Sequence, residues 1–283
     1  MTLPSPRLAI GVFDSGVGGL SVLREIRRLL PREDLHYVAD SAFAPYGDRT
    51  ASYIETRTRA IAEFLLTQRT KALVVACNTA TSVAVEALRE HINLPIVAIE
   101  PAIKPAVALT RSGVVGVLAT RQTVGSASVS KLVATHGQHA RILLQACPGL
   151  VEQVEKGALA APETRDLLTR FITPLIKEGA DTLVLGCTHY PFLTPLIQEL
   201  AGQKVRVIDP APAVAQQLQR RLMADELLAP LGPEDQHQPT QGQTAFWTSG
   251  STEQASRIMS ALWGQPVQAQ ALPEAYCHSP AQG

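Results

Sequence analysis

Two stretches of this chain read almost alike. One is Leu73-Val74-Val75-Ala76-Cys77-Asn78-Thr79-Ala80, the other Leu183-Val184-Leu185-Gly186-Cys187-Thr188-His189-Tyr190. Each is an unbroken apolar run, then a small residue, a cysteine and a residue bearing a hydroxyl or amide, with helical spacing behind it. An apolar run without alternation reads as a strand buried on both faces, the signature of a parallel sheet covered by helices. Other runs of this kind are Ile10–Phe13, Leu35–Ala39, Pro95–Ile99, Gly113–Leu118, Arg141–Ala146, Val205–Asp209 and Thr244–Thr248. Helical periodicity follows at Leu20–Leu30, Tyr53–Gln68, Glu163–Lys177, Pro210–Leu228 and Thr252–Trp263. The spacing predicts an α/β fold of two similar units, with a boundary near Ile99 to Pro105.

The chain is long enough to bury a large core: 283 residues, 46% of them hydrophobic. Twenty-five acidic and 25 basic residues balance, so no net positive field favours nucleic acid. No apolar segment approaches the length that spans a membrane, and no leader pattern precedes Ile10. The four cysteines, Cys77, Cys147, Cys187 and Cys277, are widely spaced, which argues against a disulfide scaffold and for a reducing, cytoplasmic setting.

In parallel α/β folds ligands bind beyond the C-terminal ends of the strands. Asp14-Ser15, Pro45-Tyr46-Gly47, Cys77-Asn78-Thr79, Thr120 and Cys187-Thr188-His189 all fall there. The glycines of Asp14-Ser15-Gly16-Val17-Gly18-Gly19 permit a tight turn into a helix whose free N–H groups could meet an anion. A dinucleotide site would need another glycine spacing, although Asp40 stands after the second strand as such a site requires. Cys187 and His189 could both ligate a metal, but companion ligands would have to come from afar, and a metal site is not expected.

Two facing cysteines suit paired acid–base chemistry: one thiolate takes a proton from carbon while the other thiol returns one to the opposite face. A thiol with an unperturbed pKa of about 8.5 serves both roles near neutrality. Asp14 and His189 are polar neighbours able to move or orient those protons. A redox pair and single-cysteine covalent catalysis are the rival uses of such residues.

Four motifs, Phe13-Asp14-Ser15-Gly16-Val17-Gly18-Gly19, Pro45-Tyr46-Gly47, Ala76-Cys77-Asn78-Thr79-Ala80 and Gly186-Cys187-Thr188-His189-Tyr190-Pro191, together resemble the cofactor-independent glutamate racemases, from Ile10 to about Gly264. The resemblance implies interconversion of L- and D-glutamate without pyridoxal phosphate or metal, and a bacterial source that uses D-glutamate for peptidoglycan. It implies two α/β domains related by a pseudo-twofold axis, the site between them. Residues 1–98 with 207–265 would form the first, 99–206 the second, and 266–283 a tail without clear pattern.

By the same resemblance Cys77 handles the proton on the D-glutamate side with help from Asp14, and Cys187 that on the L side with help from His189. Ser15, Asn78, Thr79 and Thr188 would hold the amino and α-carboxylate groups. Pro45, Tyr46 and Gly47 would bind the side-chain carboxylate or close around it. Thr120 lines the cleft, Thr123 is a further candidate, and Glu155 fits a supporting acidic position better than Glu152. Family members form homodimers in differing arrangements. The chain departs from the family pattern at Ala42-Phe43-Ala44, at Val129 and at Gly149-Leu150, none of which removes a catalytic group. Only nine residues precede Ile10, so control through an extended N-terminus is not expected. An aspartate racemase is the nearest enzyme alternative, and a binding protein without turnover the alternative of another class.

Overall fold

A computed structural model describes residues 4–230 and 241–278. The chain begins β1 (Ile10–Asp14), α1 (Leu20–Leu29), β2 (Leu35–Ala39), α2 (Ala51–Thr67), β3 (Ala72–Val75), α3 (Asn78–His91) and β4 (Ile96–Ala98). It continues α4 (Ile103–Leu109), β5 (Val114–Ala119), α5 (Arg121–Val124), α6 (Ala127–His136), β6 (Arg141–Ala146), α7 (Leu150–Glu155), α8 (Pro162–Lys177), β7 (Thr182–Gly186), α9 (Thr194–Ala201) and β8 (Arg206–Ile208). It ends α10 (Ala211–Ala224), β9 (Thr244–Thr248), α11 (Thr252–Trp263) and β10 (Ala269–Ala271).

The strands form two sheets, ordered β10-β9-β2-β1-β3-β4 and β6-β5-β7-β8, and every pairing is parallel. The run β2-β1-β3-β4 and the whole second sheet have the same order once β5 is matched to β1. Duplicate topology of this kind gives the two halves their pseudo-twofold relation. It also puts β3 and β7 in equivalent places, so Cys77 and Cys187 leave equivalent strand ends. The central strands are buried throughout: Ile10, Val12, Leu73, Val74, Leu183 and Val184 are all inaccessible. Helices on both faces account for those unbroken apolar runs.

Three expectations need correcting. Val207 pairs with Leu183 in the second sheet, so a boundary at 207 would cut through β8; the chain crosses back to the first half only after Ile208. The segment around Pro105, where the prolines suggest a short connector between the two units, is helix α4, in which Pro105 occupies the first turn where no intrahelical N–H is needed. The tail, read as patternless, supplies β10, which pairs with β9 as an edge strand. The polar stretch from Pro230 to Gln243, rich in Pro, Gly and Gln and so predicted to be an exposed loop, lies mostly outside the described residues.

Among the described residues no helix is long and apolar enough to cross a membrane.

Candidate active site

Because both sheets are parallel, each strand delivers its following loop to the same edge. The loops after β1, β3, β5 and β7 meet between the two halves. Asp14, the last residue of β1, is wholly buried. Its Oδ2 accepts the N–H groups of Gly16 (3.3 Å) and Gly19 (3.0 Å), and its Oδ1 accepts the Thr188 hydroxyl at 3.3 Å. One carboxylate thus fixes the glycine turn and reaches into the second half. Burial raises its pKa, with the nearby Glu155 charge adding to the rise and His189 opposing it.

Cys77 caps the N-terminus of α3. Its sulfur accepts the Ala80 N–H at 3.4 Å and donates to Ser15 Oγ at 3.7 Å. Burial, reinforced by Asp14, drives this thiol far above its ordinary pKa, against the opposing pull of the Ala80 and Ser15 hydrogen bonds. This environment therefore favours the protonated thiol form of Cys77. Asn78, next in the chain, is buried, and neither its Oδ1 nor its Nδ2 has a hydrogen-bond partner. A buried amide with both ends unsatisfied is costly unless something else completes it, which marks the first turn of α3 as a polar receptor.

Cys187 sits 3.7 Å from His189 Nδ1, and His189 Nε2 lies 2.7 Å from Glu155 Oε1. The same Glu155 oxygen accepts the Val17 N–H at 2.7 Å. The result is a sulfur–imidazole–carboxylate chain whose last member is pinned to the glycine turn of the opposite half. Burial disfavours the imidazolium, but Cys187, Glu155 and Asp14 together outweigh it and hold the His189 pKa well above its ordinary value. Asp14 Oδ2 stands 4.0 Å from His189 Nδ1, so the helpers of the two cysteines lie close together.

The glycines of the turn are there for space. A Cβ on Gly16 would fall 1.9 Å from Glu155 Oε1, and one on Gly18 would fall 2.2 Å from His189 Nδ1. Side chains from the second half fill the room those missing atoms leave.

Across the cleft, Thr79 Oγ1 lies 3.0 Å from Thr120 Oγ1 and 3.3 Å from Thr123 Oγ1, and Thr120 donates to Thr123 at 2.9 Å. Gly47 packs on Thr120, where an added Cβ would be 2.8 Å from the threonine Cβ. The Tyr46 phenol donates to Asp40 Oδ2 at 2.5 Å and is buried. The phenol is thus committed to Asp40, and what the Pro45–Gly47 loop offers the cleft is main chain. At the rim Arg121 pairs with Asp48 at 3.1 Å between exposed side chains.

All the sequence-derived residues therefore gather at one interdomain edge. Glu155 takes a nearer place than its supporting assignment suggested, and Glu152 lines the rim instead. Sequence reading missed Ser21, whose hydroxyl donates to the carbonyls of Gly18 and Thr188, and Tyr37, whose phenol donates to the Gly16 carbonyl at 2.7 Å. Neither carries a local signal, since each lies within an apolar segment. A gap of about 20 Å³ remains between the Gly47–Asp48 loop and the Cys147–Gly149 turn. A cavity of about 390 Å³ reaches Glu155 from the α11 side without touching either cysteine. Among the described residues no cluster of three or more His, Cys, Asp or Glu could hold a metal ion.

Residues 10–218 match the Asp/Glu/hydantoin racemase family. This chain belongs to that family. It is 54% identical over 260 residues to the glutamate racemase of Ectopseudomonas mendocina (strain ymp), covering 92% of this chain and 96% of that one. It is 52% identical over 262 residues to the glutamate racemase of Pseudomonas aeruginosa PAO1, covering 91% and 95%. The crystal structure of a glutamate racemase isoform from Bacillus anthracis superposes with a TM-score of 0.85 at 32% identity, covering 95% of this chain and 99% of that one. Escherichia coli glutamate racemase, crystallised with L-glutamate and an activator, superposes at 0.80 with 32% identity, covering 94% and 98%.

Proposed function

We propose that this racemase interconverts L- and D-glutamate by two-cysteine proton transfer. The observation that carries the reading is the placement of Cys77 and Cys187 at equivalent strand ends of the two halves, each with its own proton partner. Cys187 as thiolate takes the α-proton of L-glutamate: the Cα–H bond breaks, an S–H bond forms, and the electron pair spreads into the α-carboxylate. The Cys77 thiol then gives its proton to the opposite face, so an S–H bond breaks and a C–H bond forms, leaving D-glutamate. The reverse reaction exchanges their roles.

His189, steadied by Glu155, holds or relays the proton beside Cys187; Asp14 and Ser15 do so beside Cys77. The unpaired Asn78 amide, with Thr79 and Thr188, receives the amino and α-carboxylate groups and stabilises the charge that develops there. Main-chain N–H groups at Tyr46 and Gly47 close on the side-chain carboxylate, with Thr120 and Thr123 forming the facing wall. No cofactor enters this scheme. The product feeds peptidoglycan synthesis in the bacterial cytoplasm, and the protein works as a homodimer, which light scattering would test.

The test is α-proton exchange into each glutamate enantiomer in deuterated water, on the purified protein, with aspartate alongside. Exchange into both glutamates, with kcat/KM for aspartate at least a hundredfold lower, is expected. Comparable values for the two amino acids would move the assignment to aspartate. Cys77→Ser and Cys187→Ser should each abolish racemization, and full turnover by either variant would defeat the two-base scheme.

A further inference from the structure

Behind the Pro45–Gly47 loop lies a buried ion pair that the chemistry does not use. Arg57 of α2 is 1% exposed and Asp40 not at all. The guanidinium grips Asp40 with two bonds, Nε to Oδ2 at 2.9 Å and Nη2 to Oδ1 at 2.8 Å. Its face lies 3.7 Å from the centre of the Phe43 ring. Asp40 Oδ2 also receives the Tyr46 phenol. The third arm of Arg57, Nη1, donates to the His278 carbonyl at 2.9 Å. That carbonyl belongs to the C-terminal segment that leaves β10. Leu272 N–H donates to Thr248 O at 2.8 Å, and Tyr276 meets Phe64 of α2 edge-on at 5.5 Å between ring centres.

A buried ion pair is a poor way to stabilise a core, because desolvating both charges offsets most of their attraction; an apolar pair of similar volume does as well. A bidentate guanidinium instead fixes direction, since its fork and its ring stacking both set the plane. The direction fixed here is that of Asp40, and through it of Tyr46. Tyr46 is joined to Gly47, which packs on Thr120, and to Asp48, which pairs with Arg121 of the other half. The C-terminal segment closes the arrangement from outside by occupying the remaining guanidinium arm.

We infer that Arg57 is a positioning residue for substrate binding: acting through Asp40 and Tyr46, and braced by the C-terminal segment, it sets the loop that closes on the far carboxylate of the substrate. The inference rests on the glutamate reading given above. A loop that grips the far end of the substrate does so equally before and during proton transfer, so disturbing it raises KM and leaves kcat nearly unchanged. A purely structural ion pair would change thermal stability without that selective effect.

The experiment is a double-mutant cycle of Arg57→Lys and Tyr46→Phe in the full-length protein, read as KM and kcat for both glutamate enantiomers. Lysine keeps the charge but loses the fork; phenylalanine removes a single oxygen and leaves the ion pair whole. Each variant should raise KM about fivefold to tenfold with kcat within about twofold: outright loss of a charge-assisted hydrogen bond costs about tenfold or more, and here the loss reaches the substrate only through the loop. The double variant should raise KM little further, because both changes cut the same chain of bonds. Multiplying effects, or an unchanged KM with lowered thermal stability, would overturn the inference. If Arg57→Lys does not fold, Tyr46→Phe alone decides, and an unchanged KM in that variant overturns it. Wild-type protein that exchanges no glutamate proton would instead remove the glutamate reading, and the inference with it.

Discussion

Glu155→Gln isolates the charge at the end of the chain that supports Cys187. Glutamine has nearly the same shape and keeps one acceptor oxygen, so the Val17 N–H stays satisfied while the negative charge 2.7 Å from His189 Nε2 is lost. A hydrogen bond to a charged group contributes about 1.5–3 kcal/mol and a neutral one about 0.5–1.5 kcal/mol. The Glu155 side chain is 20% exposed, and solvent screens part of that difference. A net loss of about 1–2 kcal/mol at the transition state lowers kcat/KM by about fivefold to thirtyfold.

Enantiomers have equal free energy, so kcat/KM must fall equally in both directions. The asymmetry will emerge in the isotope effect. With Cys187 impaired as base, removal of the α-hydrogen from L-glutamate becomes more rate-limiting. The deuterium effect on kcat/KM from L-[2-²H]glutamate should therefore grow, and that from the D-enantiomer should shrink. Stopped or continuous circular dichroism measures both. His189, deprived of a partner that raises its pKa, will also lose its proton at lower pH than in the wild type. The stability its raised pKa contributes is present below the unfolded value of about 6.5 and is lost as pH rises through the higher folded value. Glu155→Gln should bring that loss to lower pH. A fall in kcat/KM smaller than twofold, or isotope effects that stay equal for the two enantiomers, would refute the assignment of Glu155 to the Cys187 side.

Other outcomes follow from the same geometry. Gly16→Ala should be slower than Glu155→Gln, because its Cβ would sit 1.9 Å from Glu155 Oε1 and must displace the carboxylate bodily from both His189 and Val17; steady-state rates of the two variants decide. Asp181 accepts from Thr110 Oγ1, the Arg111 and Ser112 N–H groups and Thr182 Oγ1, and these bonds overcome a burial effect to hold its pKa well below the ordinary carboxylate value. The stability it contributes is present above the unfolded value of about 3.9 and disappears as pH falls towards the folded one, so Asp181→Ala should cost about 2 kcal/mol at neutral pH and much less in strong acid, by urea melts. Lys71→Met, which strands the buried Glu33 carboxylate, should cost about 3–5 kcal/mol, and a thermal melt like the wild type would contradict it.

Much of this architecture was open to reading because its signals are local. A buried parallel strand announces itself as an apolar run, and a cysteine followed by polar residues at a strand end falls on the functional edge by topology alone. The errors mark where information is non-local. Nothing in Val205–Asp209 says which sheet will receive it, since pairing is chosen by distant strands. Ala269-Gln270-Ala271 has no β-branched residue, and becomes a strand because β9 offers it a free edge. Arg57 reads as one more solvated position on a helix rich in charge, and only the fold brings Asp40 and His278 to it. Glu155 lay one helical turn from Glu152, and the choice between them depended on which face of α7 meets the other half.

The order of the first sheet bears on how this protein is made. Its strands β1 to β4 all precede residue 100, yet β2 is bounded on its outer side by β9, which the ribosome adds only at Thr244–Thr248. Through the synthesis of the whole second half, the nascent chain carries Leu35–Ala39 with one row of backbone donors and acceptors unmatched. An apolar edge held open for that long invites pairing with neighbouring chains. At a translation speed of about 5–20 residues per second the exposure lasts roughly 7 to 30 seconds. That interval gives a chaperone its reason to attend the first hundred residues, and makes an isolated N-terminal fragment of this enzyme a poor candidate for soluble expression.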